Sequence, residues 1–514
     1  MNAINPIMKL DYPDPDIIRV DNTYYMVSTT MHFMPGCEIL RSFDLVHWEH
    51  TAYVYDKLDS TSGQTLTGEE NIYGKGMWAA SLRYHNGIFY ICFAANDTQK
   101  TYLFTSYSIE GPWKKHYIEG FYHDASLLFD EDNVYIAYGN KNIYITQLKP
   151  DLTGPLKSGL HRLAVSDSEQ TSLGYEGTHF YKINGKYYLF FIHSLPNRWM
   201  RVEACFMSDS LEGEFTGGDI LIDDMGYCGQ GVAQGGIVDT PEGDYYSILF
   251  QDMGAVGRIP VLIPIKWKNN YPIFGEKGKI PDSFPINSTK PEYIYEPLVQ
   301  SDSFRNYYGL NENAQKQQYG CYGLKSVWQF NHEPDMSFIQ VDTENGILWI
   351  TTNKICKYLV QAKNILTQRM LYPCCAGEVT LDISQLKEGD YAGLCALQGK
   401  FGFIAVTKRQ NKNYIVMKNI LSENNQKENG LEAKEQECIK IEETIVRFRV
   451  EVNFTNMKDE AKFLFKSGEK WKQLGPVHKL HFGLDHFTGC RFGLFLYATK
   501  EIGGKAGFQN FVYK

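Results

Sequence analysis

Five times in its first half the chain repeats one short pattern: an apolar run, a tight polar turn, then an aromatic pair or its near equivalent. The turns and their aromatics read Asp21-Asn-Thr-Tyr-Tyr25, His85-Asn-Gly-Ile-Phe-Tyr90, Asp130-Glu-Asp-Asn-Val-Tyr135, Asn184-Gly-Lys-Tyr-Tyr188 and Pro241-Glu-Gly-Asp-Tyr-Tyr246. Short alternating or aromatic-rich runs bounded by Asn, Asp and Gly are strands joined by hairpin turns. Helical periodicity is scarce, so the chain is predicted to be all-β. Two repeats carry a further tryptophan element, Leu45-Val-His-Trp48 and Gly111-Pro-Trp113. Each repeat has room for four strands. Irregular β-repeats of this size in tandem predict a five-bladed β-propeller, assigned to residues 1–290.

The repeats can be aligned on their aromatics. Ten or eleven residues upstream of Tyr24, Phe89, Val134, Tyr187 and Tyr245 stand Asp14, Trp78, Asp124, Glu176 and Gln234. These are equivalent positions at the start of each repeat's first strand, the strand that lines a propeller's central channel. Three carboxyls, one indole and one amide would then share one mouth of that channel. They lie too far apart in sequence for a single helix or loop to gather them, whereas a closed ring of blades does so.

The repeats stop near Ile273. Residues 275–296 are rich in Pro, Lys, Ser and Asn, with Pro281, Pro285 and Pro291, and read as a linker. Beyond it short strands resume, among them Ile347-Leu-Trp-Ile-Thr-Thr352, Phe401-Gly-Phe-Ile-Ala-Val406 and Arg491-Phe-Gly-Leu-Phe-Leu-Tyr497. Residues 300–514 are therefore assigned to a β-sandwich accessory domain. The polar tract 422–437 reads as a solvated loop between strands.

Composition narrows the class of function. Net charge is −9 and no basic block stands out, so a nucleic-acid footprint is not expected. No stretch reaches the roughly 18–20 apolar residues of a membrane span. The N-terminus has neither an apolar core nor a small-residue cleavage site, which predicts a cytoplasmic protein. The 11 cysteines contain no CxxC pair and no zinc spacing, and predict reduced, mostly buried thiols. Cys374 and Cys375 are adjacent, poor geometry for a bridge between them. Most of the 35 Tyr, 30 Phe and 8 Trp are accounted for by strand packing, though the same rings also suit sugar faces.

Paired carboxyls in opposite protonation states are the usual equipment for cutting a glycosidic bond. One protonates the leaving oxygen while the other activates water or attacks directly. A third carboxylate nearby raises the pKa of the acid. Two other readings stand beside this one. Any single Asp can cap a turn, and clustered acids also bind calcium.

Several motifs resemble glycoside hydrolase family 43, the β-xylosidase and α-L-arabinofuranosidase group. They are Asn5-Pro-Ile-Met-Lys-Leu-Asp-Tyr-Pro-Asp-Pro-Asp16, Gly76-Met-Trp-Ala-Ala-Ser81, His123-Asp-Ala-Ser-Leu127, Tyr175-Glu-Gly-Thr-His179 and Gly254-Ala-Val-Gly-Arg258. Leu366-Thr-Gln-Arg369 and Asp390-Tyr-Ala-Gly-Leu394 resemble the concanavalin-like, jelly-roll sandwich of its longer members. The resemblance implies that Asp14 is the general base, Glu176 the general acid, and Asp124 the group that tunes the acid and orients the sugar. It implies inversion at the anomeric carbon. Trp78, Arg258, Phe33, Met34 and Gln234 become substrate-binding candidates. Many members hold a central metal with a His before the Gly-Gly run of the fifth blade. Val232-Ala-Gln-Gly-Gly236 has none, which excludes direct His ligation from that segment. No cofactor is expected to be required, and calcium held by other oxygens stays open. Trp78-Ala-Ala80 also departs from the usual Trp-Ala-Pro.

The resulting expectation is an exo-acting β-xylosidase on short xylo-oligosaccharides, with or without arabinofuranosidase activity. The alternatives are a dedicated α-L-arabinofuranosidase, a non-catalytic sugar-binding propeller and a calcium-dependent scaffold. Self-association into a homo-oligomer is left open by the sequence.

Overall fold

The computed structural model describes residues 1–167, 171–306, 322–420 and 432–514. Five four-stranded antiparallel sheets follow one another in the first half. The first is Asp16–Val20, Thr23–Val27, Gly36–Ser42 and Glu49–Tyr55, and the second Ser81–His85, Ile88–Ala95, Lys100–Ser106 and Lys114–Ile118. The third comprises Ser126–Asp130, Asn133–Asn140, Asn142–Leu148 and His161–Ser166. Glu176–Ile183, Lys186–Ser194, Arg201–Ser208 and Thr216–Leu221 form the fourth; Val232–Asp239, Tyr245–Asp252, Arg258–Lys268 and Tyr271–Phe274 form the fifth. Each recurring polar turn joins the first two strands of one sheet, as the repeats predict.

The period of two along each strand shows why the sheets stack as blades. Leu189 and Phe191 point to the third blade and pack with Ile143 and Tyr135. Their neighbours Tyr188 and Phe190 point the other way, onto Leu249 and Val261 of the fifth. Each blade thus buries both faces and shares one apolar core with each neighbour. The core between blades five and one, with Ile17, Met26, Ile248 and Leu262, closes the circle. A backbone bond from Gly236 N to Pro15 O (2.9 Å) reinforces the closure.

Polar groups stitch the innermost strands together along the axis. Leu82 N donates to Asp16 Oδ2 (2.7 Å), Leu127 N to Ser81 Oγ (3.1 Å), and Phe180 N to Ser126 Oγ (3.0 Å). Ile237 N donates to Tyr181 Oη at 3.0 Å. Arg83 fills the channel among them. Its guanidinium donates to Asp16 Oδ2 (2.7 Å), Leu127 O (2.7 Å) and Ser126 Oγ (2.6 Å), and lies over the Tyr181 ring. Below the three carboxyl positions the axis is therefore plugged.

The second half is a sandwich of a seven-stranded and an eight-stranded antiparallel sheet around one large apolar core. Ile347–Thr351, Gly402–Arg409 and Arg491–Ala498 are strands, in keeping with the sequence reading. Two expectations need correction. The segment 275–296 is not a free spacer: Ser283–Pro285 pairs with Asn2–Ile4. Further along, Tyr293 Oη donates to Glu49 Oε1 and Tyr295 Oη accepts from Phe43 N, strapping the segment to the first blade. In the polar tract 422–437, residues 422–431 lie outside the described residues. Lys434 to Glu437 belong to the strand Lys434–Ile441, which pairs with Lys412–Asn419. Among the described residues no cysteine is bridged; seven are buried, and Cys228, Cys374 and Cys438 are exposed.

Candidate active site

The five aligned positions meet where the repeat alignment places them, at the entry to each innermost strand. Local backbone conformation aims them. Asp14, Asp124 and Gln234 have φ of 51°, 45° and 58°, a region costly for residues with a side chain. Register shifts fall at Glu176/His179 and at Ala233/Gly235. Such bulges re-aim a side chain out of the alternating pattern. Gly177 (φ 64°) is required twice over. A Cβ there would lie 2.4 Å from Gln234 Cδ, so only glycine lets the amide of blade five pack beside Glu176.

Asp14 is 6% exposed and both its oxygens are engaged. Oδ1 accepts from Arg258 Nη1 at 2.8 Å, and Oδ2 from Thr29 Oγ1 at 2.6 Å. Arg258 is held in turn by Asp11. Asp11 Oδ1 accepts Arg258 N and Oδ2 accepts Gly489 N, each at 2.7 Å. Gly257 (φ 105°) leaves room for that carboxylate, which sits 2.3 Å from where a Cβ would be. One buried aspartate thus clips the fifth blade to a sandwich loop.

Across the mouth stand Asp124 and Glu176. Asn140, on the third blade, donates to Glu176 Oε2. Burial raises the Asp124 pKa; the charge of His123 opposes this, and Glu176 and Asp14 add to it. His123 Nε2 lies 3.8 Å from Asp124 Oδ2 and 3.7 Å from Glu176 Oε2. Chiefly because of Asp124, its pKa is raised to about 9. Asp124 Oδ1, Trp78 Nε1 and Arg258 Nε are buried without a protein partner. Buried polar atoms are normally satisfied, so these three point to a polar ligand in the mouth.

An alternating row of rings and guanidinium groups forms the wall. Trp199 carries Arg201, whose other neighbour is Phe250 (5.3 Å each). Arg258 follows at 5.2 Å from Phe250 and 4.2 Å from the ring of Phe487. Phe487 then meets Trp78 at 5.5 Å, and Trp78 meets His123 at 6.0 Å. Arg201 is ion-paired with Asp252. Phe487 comes from the sandwich, and its carbonyl accepts Arg258 Nη2 at 3.1 Å. The second domain therefore supplies part of the mouth.

Phe33 and Met34 do not line it. Each is 1% exposed at the seam between the domains. Phe33 lies under the Arg491 guanidinium (3.4 Å), and Met34 N donates to Phe330 O (3.0 Å). The sandwich covers this loop, which no local signal in the loop foretells. His123 and Phe487, with Asn140, Arg201 and Thr29, were not singled out from sequence. Only His123 had a signal there, its place next to Asp124.

Two places among the described residues bear on a metal ion. The axial channel, where the family resemblance allows calcium, holds the guanidinium of Arg83 against Asp16, with His179 Nε2 3.6 Å from the same carboxylate. The carboxylate there is already paired with a cation. Among the described residues, the one cluster of His and carboxylates within ligand reach is His123, Asp124 and Glu176. The acids around that imidazole favour its protonated form, which offers a metal no lone pair until the proton is displaced.

Comparison with known proteins agrees with this geometry. The family model for glycosyl hydrolases family 43 matches residues 3–272, and that for the beta xylosidase C-terminal concanavalin A-like domain matches residues 322–514. A beta-xylosidase of Formosa agariphila is 24% identical over 99% of this chain and 90% of its own length. A non-reducing end alpha-L-arabinofuranosidase of Bacteroides ovatus is 24% identical over 67% of this chain and 64% of its own. Among solved structures, a bifunctional GH43-CE protein of Bacteroides eggerthii superposes with a TM-score of 0.90 at 38% identity. All of this chain is covered, and it spans 63% of that protein.

Proposed function

The chain belongs to glycosyl hydrolases family 43, and from that membership we propose that it is an exo-acting, inverting β-xylosidase that releases terminal xylose from short xylo-oligosaccharides. The observation that carries the reading is the convergence of Asp14, Asp124 and Glu176 from blades one, three and four on a channel plugged below by Arg83. A mouth closed at its base and walled by Phe487 admits a chain end rather than the middle of a polymer.

Asp14 is the base. Held by Arg258 and Thr29, it takes a proton from the attacking water. Glu176 is the acid and protonates the leaving oxygen while the C–O bond breaks. Asp124, with its unpartnered Oδ1, binds a sugar hydroxyl and sets the electrostatics of the acid. Trp78 offers a flat apolar face and an indole N–H to the sugar, Arg258 offers its free Nε, and Gln234 supports Glu176 across Gly177. Water attacking opposite the leaving group inverts the anomeric centre. Short oligosaccharides imported into the cytoplasm suit such an enzyme, and no metal takes part in these steps.

α-L-Arabinofuranosidase activity is the second reading, favoured by the name of the Bacteroides ovatus relative. The two pentoses have similar outlines, so the same donors and acceptors can serve either. Nitrophenyl β-xyloside and nitrophenyl α-L-arabinofuranoside, assayed side by side with wild type, Asp14→Ala and Glu176→Ala, test both readings. Release from the xyloside that falls by at least about 10³-fold in Asp14→Ala supports the proposal. Release from the arabinofuranoside alone selects the alternative. Binding of either sugar without turnover would leave a non-catalytic propeller.

A further inference from the structure

None of the roles above uses His123, and its placement is specific. Nε2 is nearly equidistant from the acid, Glu176 Oε2 (3.7 Å), and from Asp124 Oδ2 (3.8 Å). The ring is partly shielded, with 22% of the side chain exposed, and it lies against Trp78. Its backbone carbonyl accepts Gly139 N at 3.1 Å, so the residue is tied to its own blade. The charged groups that act on it are Asp124, Glu176 and Asp14, all acidic and drawn from three blades. Arg258 and Arg201 stand further along the wall, Arg258 between Phe250 and Phe487 and Arg201 between Trp199 and Phe250.

We propose that His123 is a positioning residue whose imidazolium turns from Asp124 to Glu176 as Glu176 delivers its proton. The proposal rests on Glu176 being the acid. The step starts with the transferable proton on Glu176 and with the Nε2–H of His123 towards Asp124, the group that does most to hold the imidazolium. As the C–O bond breaks, its electron pair goes to the leaving oxygen, which takes the proton of Glu176. Water forms the new C–O bond and gives its proton to Asp14. Glu176 is now a carboxylate, and the Nε2–H faces it. The imidazole is charged before and after, so no proton is created or lost at His123. Its proton is retained through the neutral range because of the acidic groups around it. The benefit appears only as charge develops on Glu176, which makes it selective for the transition state.

This role predicts a dependence that simple packing would not produce. A poor leaving group needs nearly full proton transfer, whereas a dinitrophenolate leaves almost unaided. His123→Gln and His123→Phe are therefore compared with wild type on xylobiose and on dinitrophenyl β-xyloside, as full-length chains with matching thermal unfolding. The expected result is a loss of about 30-fold in kcat/KM on xylobiose and less than about threefold on the dinitrophenyl substrate. The alkaline limb of the xylobiose profile should also move to higher pH, because removing a neighbouring cation makes the acid's proton harder to lose. Equal losses on both substrates with an unmoved limb in the two variants would overturn the proposal. Glu176→Ala serves as the reference. If it too fails to discriminate between the substrates, the acid assignment is at fault; if it discriminates and the His123 variants do not, only the role of His123 falls.

Discussion

Arg258 and Asp14 form a buried ion pair that joins the two ends of the propeller, Nη1 to Oδ1 at 2.8 Å, with side chains 2% and 7% exposed. The same guanidinium reaches the carbonyl of Phe487, so the base, the fifth blade and the sandwich are set by one side chain.

Replacing Arg258 leaves Asp14 buried without its cation. Breaking one partner of a buried pair costs about 3–5 kcal/mol. In Arg258→Ala, kcat/KM should fall by at least about 10²-fold, with part of the loss seen as lowered thermal stability. Arg258→Lys should recover little, since an ammonium cannot serve Asp14 and Phe487 O in the forked geometry. Steady-state kinetics and calorimetry on both variants check this.

Phe487 closes the mouth from the other domain. Phe487→Ala removes the ring between Arg258 and Trp78 and should raise KM by about tenfold, the effect of losing roughly 1.4 kcal/mol of contact, with a smaller change in kcat. KM and kcat measured on xylobiose separate the two effects.

Arg83 supplies the axial channel with its own positive charge. Dialysis against EDTA should therefore leave the rate unchanged, and added calcium should not raise it. Arg83→Ala should be destabilised by about 3 kcal/mol or more, because Asp16 would remain buried without its partner. A chelator-sensitive rate, restored by calcium, would contradict this view of the channel.

Three histidines, His32, His332 and His486, are buried together with Tyr73 where the domains meet. Burial holds all three pKa values down, that of His332 to about 3. Neighbouring Arg491 and Lys354 add to the depression; Asp485 opposes it at His486, where His481 acts in the other direction. Unfolded histidine binds a proton near pH 6.5, so the unfolded state gains protons first as pH falls. Their contribution to stability is complete above about pH 6.5 and declines below it, for His332 by about 2 kcal/mol at pH 5. Thermal unfolding from pH 7.5 to 5 should show a falling Tm, with a shallower fall in His332→Gln.

The propeller was legible because each blade repeats a hairpin whose turn and aromatics survive irregular spacing. Asp14, Asp124 and Glu176 could be aligned because an inner strand has one entry point per blade. The rest of the site depends on neighbours that sequence distance hides. Asn140 meets Glu176 only because adjacent blades stack, and Phe487 reaches Arg258 only because the sandwich docks. Phe33 and Met34 were misplaced for the same reason, since the docked sandwich turns a rim loop into an interior one. The left-handed backbone of Asp14, Asp124 and Gln234 had no signature beyond the polar residue types themselves.

The central claim is that Asp14 acts through water while Glu176 protonates the leaving group. Proton NMR of the first pentose released from a β-xyloside, recorded before mutarotation, tests it most directly. The account predicts that α-xylose appears first and the β-anomer grows in later. Initial β-xylose would mean that a carboxylate attacks the sugar itself, and would contradict the assignment of Asp14 as a base.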